Sequence, residues 1–173
     1  MSISLYEASV QNYLQTLAAT RGVLDKGLAY CKEMGVDPEE IVERRVFADM
    51  NPFRFQIQQI AMHSLGAIEA MKAGVLRLPG ERPKHTYAEL QVLLAETQRA
   101  LEKFTPAEIN ALAGRDLIFE VRDNRRVFTC EGFLLSFSLP NFYFHATTAY
   151  DILRGRGVPI GKRDFMGQLR LKQ

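Results

Sequence analysis

Apolar residues recur at intervals of three, four and seven over residues 5–34. Leu14, Leu17, Leu24, Leu28 and Cys31 fall on one stripe, the mark of a helix with a single buried face. A second stripe, Phe53, Ile57, Ile60, Ser64, Ile68 and Met71, predicts a helix over 52–73. A third, Leu90, Leu94, Thr97, Leu101 and Phe104, predicts one over 87–103, and a fourth helix is predicted from near Pro140 to Arg154. At Leu117 the period switches to alternation. Residues 117–122 and 125–130 read as two strands around the polar turn Asp123-Asn124. A lone hairpin is marginal in water, so this one must lie against the helices or a partner.

The helix starts are written in one chemistry. Ser4 with Glu7, Asp37 with Glu40, Thr86 with Glu89 and Thr105 with Glu108 each place a capping oxygen three residues before a glutamate. Pro38 and Pro106 fall at first helical positions, and Asn51-Pro52 opens the second long helix. Gly35 and Gly74 are stops, while Gly22 and Gly27 inside the first helix allow a bend or a close neighbour. Residues 74–85, rich in Gly, Pro and charge, read as a loop across the bundle end. Long helices with short connections predict an all-α four-helix bundle over 1–173 as a single domain. A small β-hairpin is inserted between its third and fourth helices.

Composition narrows the partners. Net charge is +2, from 22 basic and 20 acidic residues without a one-sided run, which implies no nucleic-acid partner. Arg122, Arg125 and Arg126 read as a solvated hairpin tip. The N-terminus lacks the basic start and apolar run of a signal peptide, and no stretch reaches the ~20 apolar residues of a membrane span. Two isolated cysteines, Cys31 and Cys130, suggest a reducing compartment, hence a cytoplasmic location without disulfides. Cys130, in a predicted strand, reads as a structural thiol.

Candidate chemistry gathers around residue 145. On a helix Asn141, His145, Thr148 and Ala149 share a face, with Phe142, Tyr143 and Phe144 around it. Inside a bundle such a polar line builds a ligand or metal site, or it fixes helix register. His63 lies four residues after Gln59; if that face points inward, His63 and His145 can meet across the bundle and hold a metal. His85 sits in the loop before a cap and carries no predicted role. Phosphate loops, the Gly-x-Ser-x-Gly elbow, His-Glu-x-x-His and Cys-x-x-Cys are all absent.

The run Leu-Pro-Asn-Phe-Tyr-Phe-His-Ala-Thr-Thr-Ala-Tyr-Asp-Ile-Leu-Arg at 139–154, followed by Gly-Val-Pro-Ile-Gly-Lys-Arg-Asp-Phe at 157–165, is the specific part of a wider resemblance. With Ser-Leu-Tyr at 4–6, Leu24-Asp25-Lys26, Ala48-Asp49-Met50 and the glutamine-rich opening of helix two, nearly the whole chain resembles an uncharacterised domain-of-unknown-function family of the DinB-like superfamily. The resemblance implies a DinB-like bundle, a homodimer, and a pocket between helices two and four. It also implies a metal held by one histidine from helix two and a His-x-x-x-His pair from helix four. His145 matches the second member of that pair, Asn141 stands at the first, and His63 or Gln59 matches the helix-two position. An asparagine amide is a poor ligand for Zn or Ni, so the implied metal site is incomplete.

The reading that follows is a small-molecule-binding bundle with a degenerate metal site and no cofactor. Its candidate ligand-binding residues are Gln59, Asn141, His145 and Thr148. The alternative is a metal-dependent hydrolase or low-molecular-weight-thiol transferase, with Zn or Ni on His63 and His145. A further alternative is a structural or stress-related interaction protein.

Overall fold

Ser4 and Glu7 open the first helix reciprocally: the Ser4 hydroxyl accepts from the Glu7 N–H at 3.2 Å, and the Glu7 carboxylate accepts from the Ser4 N–H at 2.8 Å. In the computed structural model, which describes residues 3–78, 80, 83–121 and 124–172, the same cap recurs at Thr86 with Glu89 and at Thr105 with Glu108. The fourth predicted box is half made. Asp37 accepts from the Glu39 N–H at 3.0 Å, but Glu40 reaches forward to Arg44.

Helix α1 (Asn12–Met34) follows a wide π-type turn at Glu7–Gln11 and stops at Gly35, which takes a φ of 67°. A single turn, α2 (Glu39–Val42), comes next. α3 (Phe53–Ala61) and α4 (Ala67–Ala73) form one rod, joined through a second wide turn at Met62–Gly66. After β1 (Val75–Arg77) come α5 (Tyr87–Leu101) and α6 (Pro106–Asn110), then β2 (Asp116–Val121) and β3 (Asn124–Thr129). The chain continues through α7 (Cys130–Phe133), a third wide turn at Leu134–Ser138, α8 (Leu139–Gly155) and α9 (Lys162–Met166).

α3 packs between α5 and α8, and α1 completes the bundle by touching both α5 and α8. The stripe residues Leu17, Leu24, Phe53, Ile57, Ile60, Ile68, Met71, Leu90, Leu94 and Leu101 are fully excluded from solvent. No helix among the described residues is long and apolar enough to cross a membrane.

Several expectations need correction. Helix four begins at Cys130, ahead of Pro140: the Thr129 hydroxyl caps it, accepting from the Gly132 N–H at 3.0 Å, so Cys130 is helical and not in a strand. Pro140 does not start this helix but sits inside it. The wide turn at Leu134–Ser138 directly before Pro140 lies where the missing N–H would interrupt the ordinary ladder. Residues 75–77 are a strand, not loop; β1 runs parallel to β2 with Val75 opposite Ile118, and β2 pairs antiparallel with β3. Leu28 is 38% exposed, and the inward position is Gly27. The predicted turn residue Asp123 and Arg122 of the arginine cluster lie outside the described residues; Arg125 and Arg126 are exposed. α9, which the periodicity does not predict, packs on α1 through Lys26–Asp164 at 2.6 Å, and its Phe165 lies edge-on to Tyr150 of α8.

Candidate functional site

Three glutamines follow the start of α3, and all three are buried. Gln56 donates through Nε2 to the Asn51 carbonyl at 2.8 Å, which turns its Oε1 toward α8. There it meets His145 Nδ1 at 2.7 Å. An amide oxygen can only accept, so His145 carries a proton on Nδ1. Gln58 points elsewhere and donates to the Pro83 carbonyl and to His85 Nδ1, both at 2.8 Å. Gln59 is 7% exposed, and its Oε1 has no hydrogen-bond partner.

His63 lies in the wide turn Met62–Gly66 and is 4% exposed; His145 is 8% exposed. Both therefore face inward. Their rings lie 5.7 Å apart between centroids with an interplanar angle of 12°. Phe137 meets His63 edge-on at 5.4 Å, and Phe55 meets His145 at 5.9 Å. The backbone at His63 is tied from behind. Ser138 Oγ donates to the His63 carbonyl at 2.6 Å, and Tyr13 Oη stands 2.7 Å from the same Oγ. Because the Ser138 hydroxyl has only one proton, Tyr13 is the donor of that second bond. Burial drives the Tyr13 phenol well above its usual pKa, so it keeps the proton it donates.

These groups enclose a cleft of about 390 Å³ between the α3 rod and α8. Its polar lining is Gln59, His63, Asn141 and His145; its apolar lining is Phe55, Met62, Leu78 and Phe137. Asn141 gives its Nδ2 to the Phe137 carbonyl at 2.7 Å, one turn back on its own helix. Four predicted site residues thus share one cleft. Thr148 does not line it: its hydroxyl donates to the Phe144 carbonyl at 2.8 Å, and the residue is buried one turn further along. His85 lies on the Gln58 side, away from the cleft. Cys31 and Cys130 are buried free thiols, raised in pKa by desolvation. Sequence reasoning missed Gln56, which holds His145. The signal was the spacing 56–59–63, three then four residues, which puts both glutamines and His63 on one helical face.

Residues 5–166 match the family model described as a domain of unknown function, DUF1993. The chain belongs to that family. The fold of this DUF1993 protein is similar to a crystal structure of a DinB family member from Shewanella denitrificans, with a TM-score of 0.86 and 28% identity over 98% of this chain and 95% of that one. None of the curated proteins compared with it matches.

A DinB-like fold raises the question of a metal. No group of three His, Cys, Asp or Glu side chains able to hold an ion occurs among the described residues. The cleft offers two imidazoles and two amide groups, with Asn141 where the resemblance implies a third histidine. Amide oxygens suit hard cations rather than Zn or Ni. This donor set does not fit a tightly held transition metal.

Proposed function

We propose that this DUF1993 protein binds a small molecule in the cleft between the α3 rod and α8, using a metal site that has lost its metal. The single observation that carries this reading is Gln59 Oε1: it is buried, without a hydrogen-bond partner, and belongs to a side chain that lines an open cleft. A buried acceptor left unpaired costs about 1–3 kcal/mol, and a ligand that reaches it recovers that energy. The rest of the wall supports the same reading. Aromatic and thioether side chains give apolar area, a few polar groups give orientation, and the volume of about 390 Å³ falls in the range of small-molecule sites, roughly 300–1,000 Å³. No transition metal is needed for that binding, and none is held tightly.

The test is a chemically diverse fragment collection screened by NMR on the full chain, read at the imidazole resonances of His63 and His145. Fragments that shift both are expected. If no fragment in the collection moves either resonance, the cleft is not a binding site.

We also propose a homodimer, for which exposed Val127, Leu135 and Phe144 supply apolar surface. Phe128, beside Val127, packs on Phe133 of its own core. Sedimentation showing a monomer at tens of micromolar, an order-of-magnitude concentration for modest dimers, would overturn this.

A further inference from the structure

The chemistry of the cleft wall also selects the ligand. Gln59 Oε1 is an acceptor without a donor. Asn141 gives one amide N–H to the Phe137 carbonyl, which leaves its Oδ1 and its second N–H to meet a bound molecule. A ligand bearing only acceptors would set oxygen against oxygen at Gln59. A ligand with an N–H or O–H would satisfy it.

Charge and shape narrow the class further. No Asp, Glu, Lys or Arg is among the described residues lining the cleft. A full charge taken from water into such a wall meets no carboxylate, ammonium or guanidinium among the described residues, which disfavours ionic ligands. Phe55 and Phe137 each meet one of the two histidines edge-on, and Met62 and Leu78 complete an apolar surface suited to a flat body.

We infer that the cleft takes a neutral, flat, apolar molecule that presents an N–H donor to Gln59. This rests on the reading of the cleft as a small-molecule site and adds the class of ligand to it.

Indole and benzofuran separate the donor from the shape, because they are nearly identical in outline and differ in N–H against ring oxygen. Titrated by ligand-observed NMR into the full chain, indole should bind about tenfold or more tightly than benzofuran, the ratio set by one hydrogen bond to a buried acceptor. In Gln59→Met, which keeps an unbranched side chain of similar length and removes the acceptor, indole binding should weaken by about the same factor while benzofuran is unchanged. Because this variant removes an unpaired buried polar atom, it should fold at least as well as the parent chain. Equal binding of the two probes, an indole preference that survives Gln59→Met, or no binding of either probe would overturn the inference. If other fragments still move the His63 and His145 resonances, only the donor class has failed. If none does, the cleft reading fails with it.

Discussion

Gln56 Oε1 accepts from His145 Nδ1 at 2.7 Å, and the Gln56 amide is itself held by the Asn51 carbonyl at the mouth of α3. The orientation of an imidazole on one helix is thereby set by the residue before the first turn of another. Gln56→Leu fills similar volume but leaves a buried N–H and a carbonyl unpaired. We expect a loss of about 2 kcal/mol in urea unfolding. Imidazole ¹⁵N spectra should show His145 as the Nδ1–H tautomer in the parent chain and as a mixture in the variant. An unchanged tautomer would mean that something other than Gln56 fixes the ring.

Ser138 ties α1 to the α3 rod through its single hydroxyl, taking a proton from Tyr13 and giving one to the His63 carbonyl. The two ends of that chain are not equivalent. Tyr13→Phe removes a donor while Ser138 keeps its acceptor, at a cost of about 1 kcal/mol. Ser138→Ala strands the fully buried Tyr13 hydroxyl and the carbonyl together, costing about 2–3 kcal/mol. Denaturation of both variants should show Ser138→Ala as the more damaging.

Gly22 and Gly27 lie in the same helix and should respond to alanine with opposite signs. At Gly22 a new Cβ meets nothing within 4 Å, so Gly22→Ala should stabilise by about 0.5–1 kcal/mol through helix propensity alone. At Gly27 it would lie 2.5 Å from the Tyr87 hydroxyl and 3.1 Å from Leu153 Cδ2. Tyr87 cannot step aside easily, since its hydroxyl donates to the Leu24 carbonyl at 2.8 Å and its ring stacks on Phe53. Gly27→Ala should therefore destabilise by about 1–3 kcal/mol despite the better propensity. Thermal melts of the pair check both signs.

Acid should weaken the fold through its caps. Glu7, Glu89 and Glu108 are each held below the usual glutamate range, chiefly by a backbone N–H bond at Ser4, Thr86 or Thr105 and then by that residue's hydroxyl. Asp164 is held low first by Lys26 and then by the Gly161 N–H. Lowered values in the folded state mean that the unfolded chain binds more protons between the two values. The stabilisation is complete above the unfolded-state values and disappears as pH falls through the folded-state ones. The urea midpoint should drop on acidification from neutral pH to below 4, and Glu→Gln at residues 7, 89 and 108 together should flatten that drop.

Much of the fold was legible because its signals are local. Reciprocal caps need only four consecutive residues, and the inward stripe of the α3 rod from Phe53 to Met71 is fully buried as read. Non-local features were not legible. Three residues after Gly74 form a strand only because Ile118–Glu120, some forty positions on, offers a parallel edge, and that pairing leaves no period of its own. Pro140 was misleading for a physical reason: proline favours helix starts, yet a wide turn just before it lets the helix run through. His63 stands beside the apolar stripe of the α3 rod rather than on it. Hence the sequence alone could leave its inward direction only as a condition. Gln59, Asn141 and His145 were recognisable as polar positions on apolar faces. The partner that orients His145, by contrast, required the two helices in place.

Asn141 gives the sharpest test of the reading that the cleft is a degenerate metal site. It lies one helical turn before His145, and both line the cleft with His63. Catalytic zinc sites commonly use three protein ligands and one open position, and each imidazole added to a set helps order the others. The parent cleft supplies two imidazoles and two amides, a weak set for Zn or Ni. Asn141→His supplies the third imidazole at the position the DinB-like pattern assigns to it. It sacrifices only a side-chain bond to Phe137 within its own helix, which is worth about 1 kcal/mol at most. Calorimetric titration with zinc should show weak binding to the parent chain and binding at least about a hundredfold tighter, at one equivalent, in Asn141→His. The melting temperature of the variant alone should then rise with zinc concentration, as expected for a ligand that binds only the folded chain. Further changing His145→Ala in that variant should abolish the gain. If the parent chain takes up one equivalent of zinc tightly, the cleft is a working metal site after all. If Asn141→His gains nothing, the three positions do not converge on one ion.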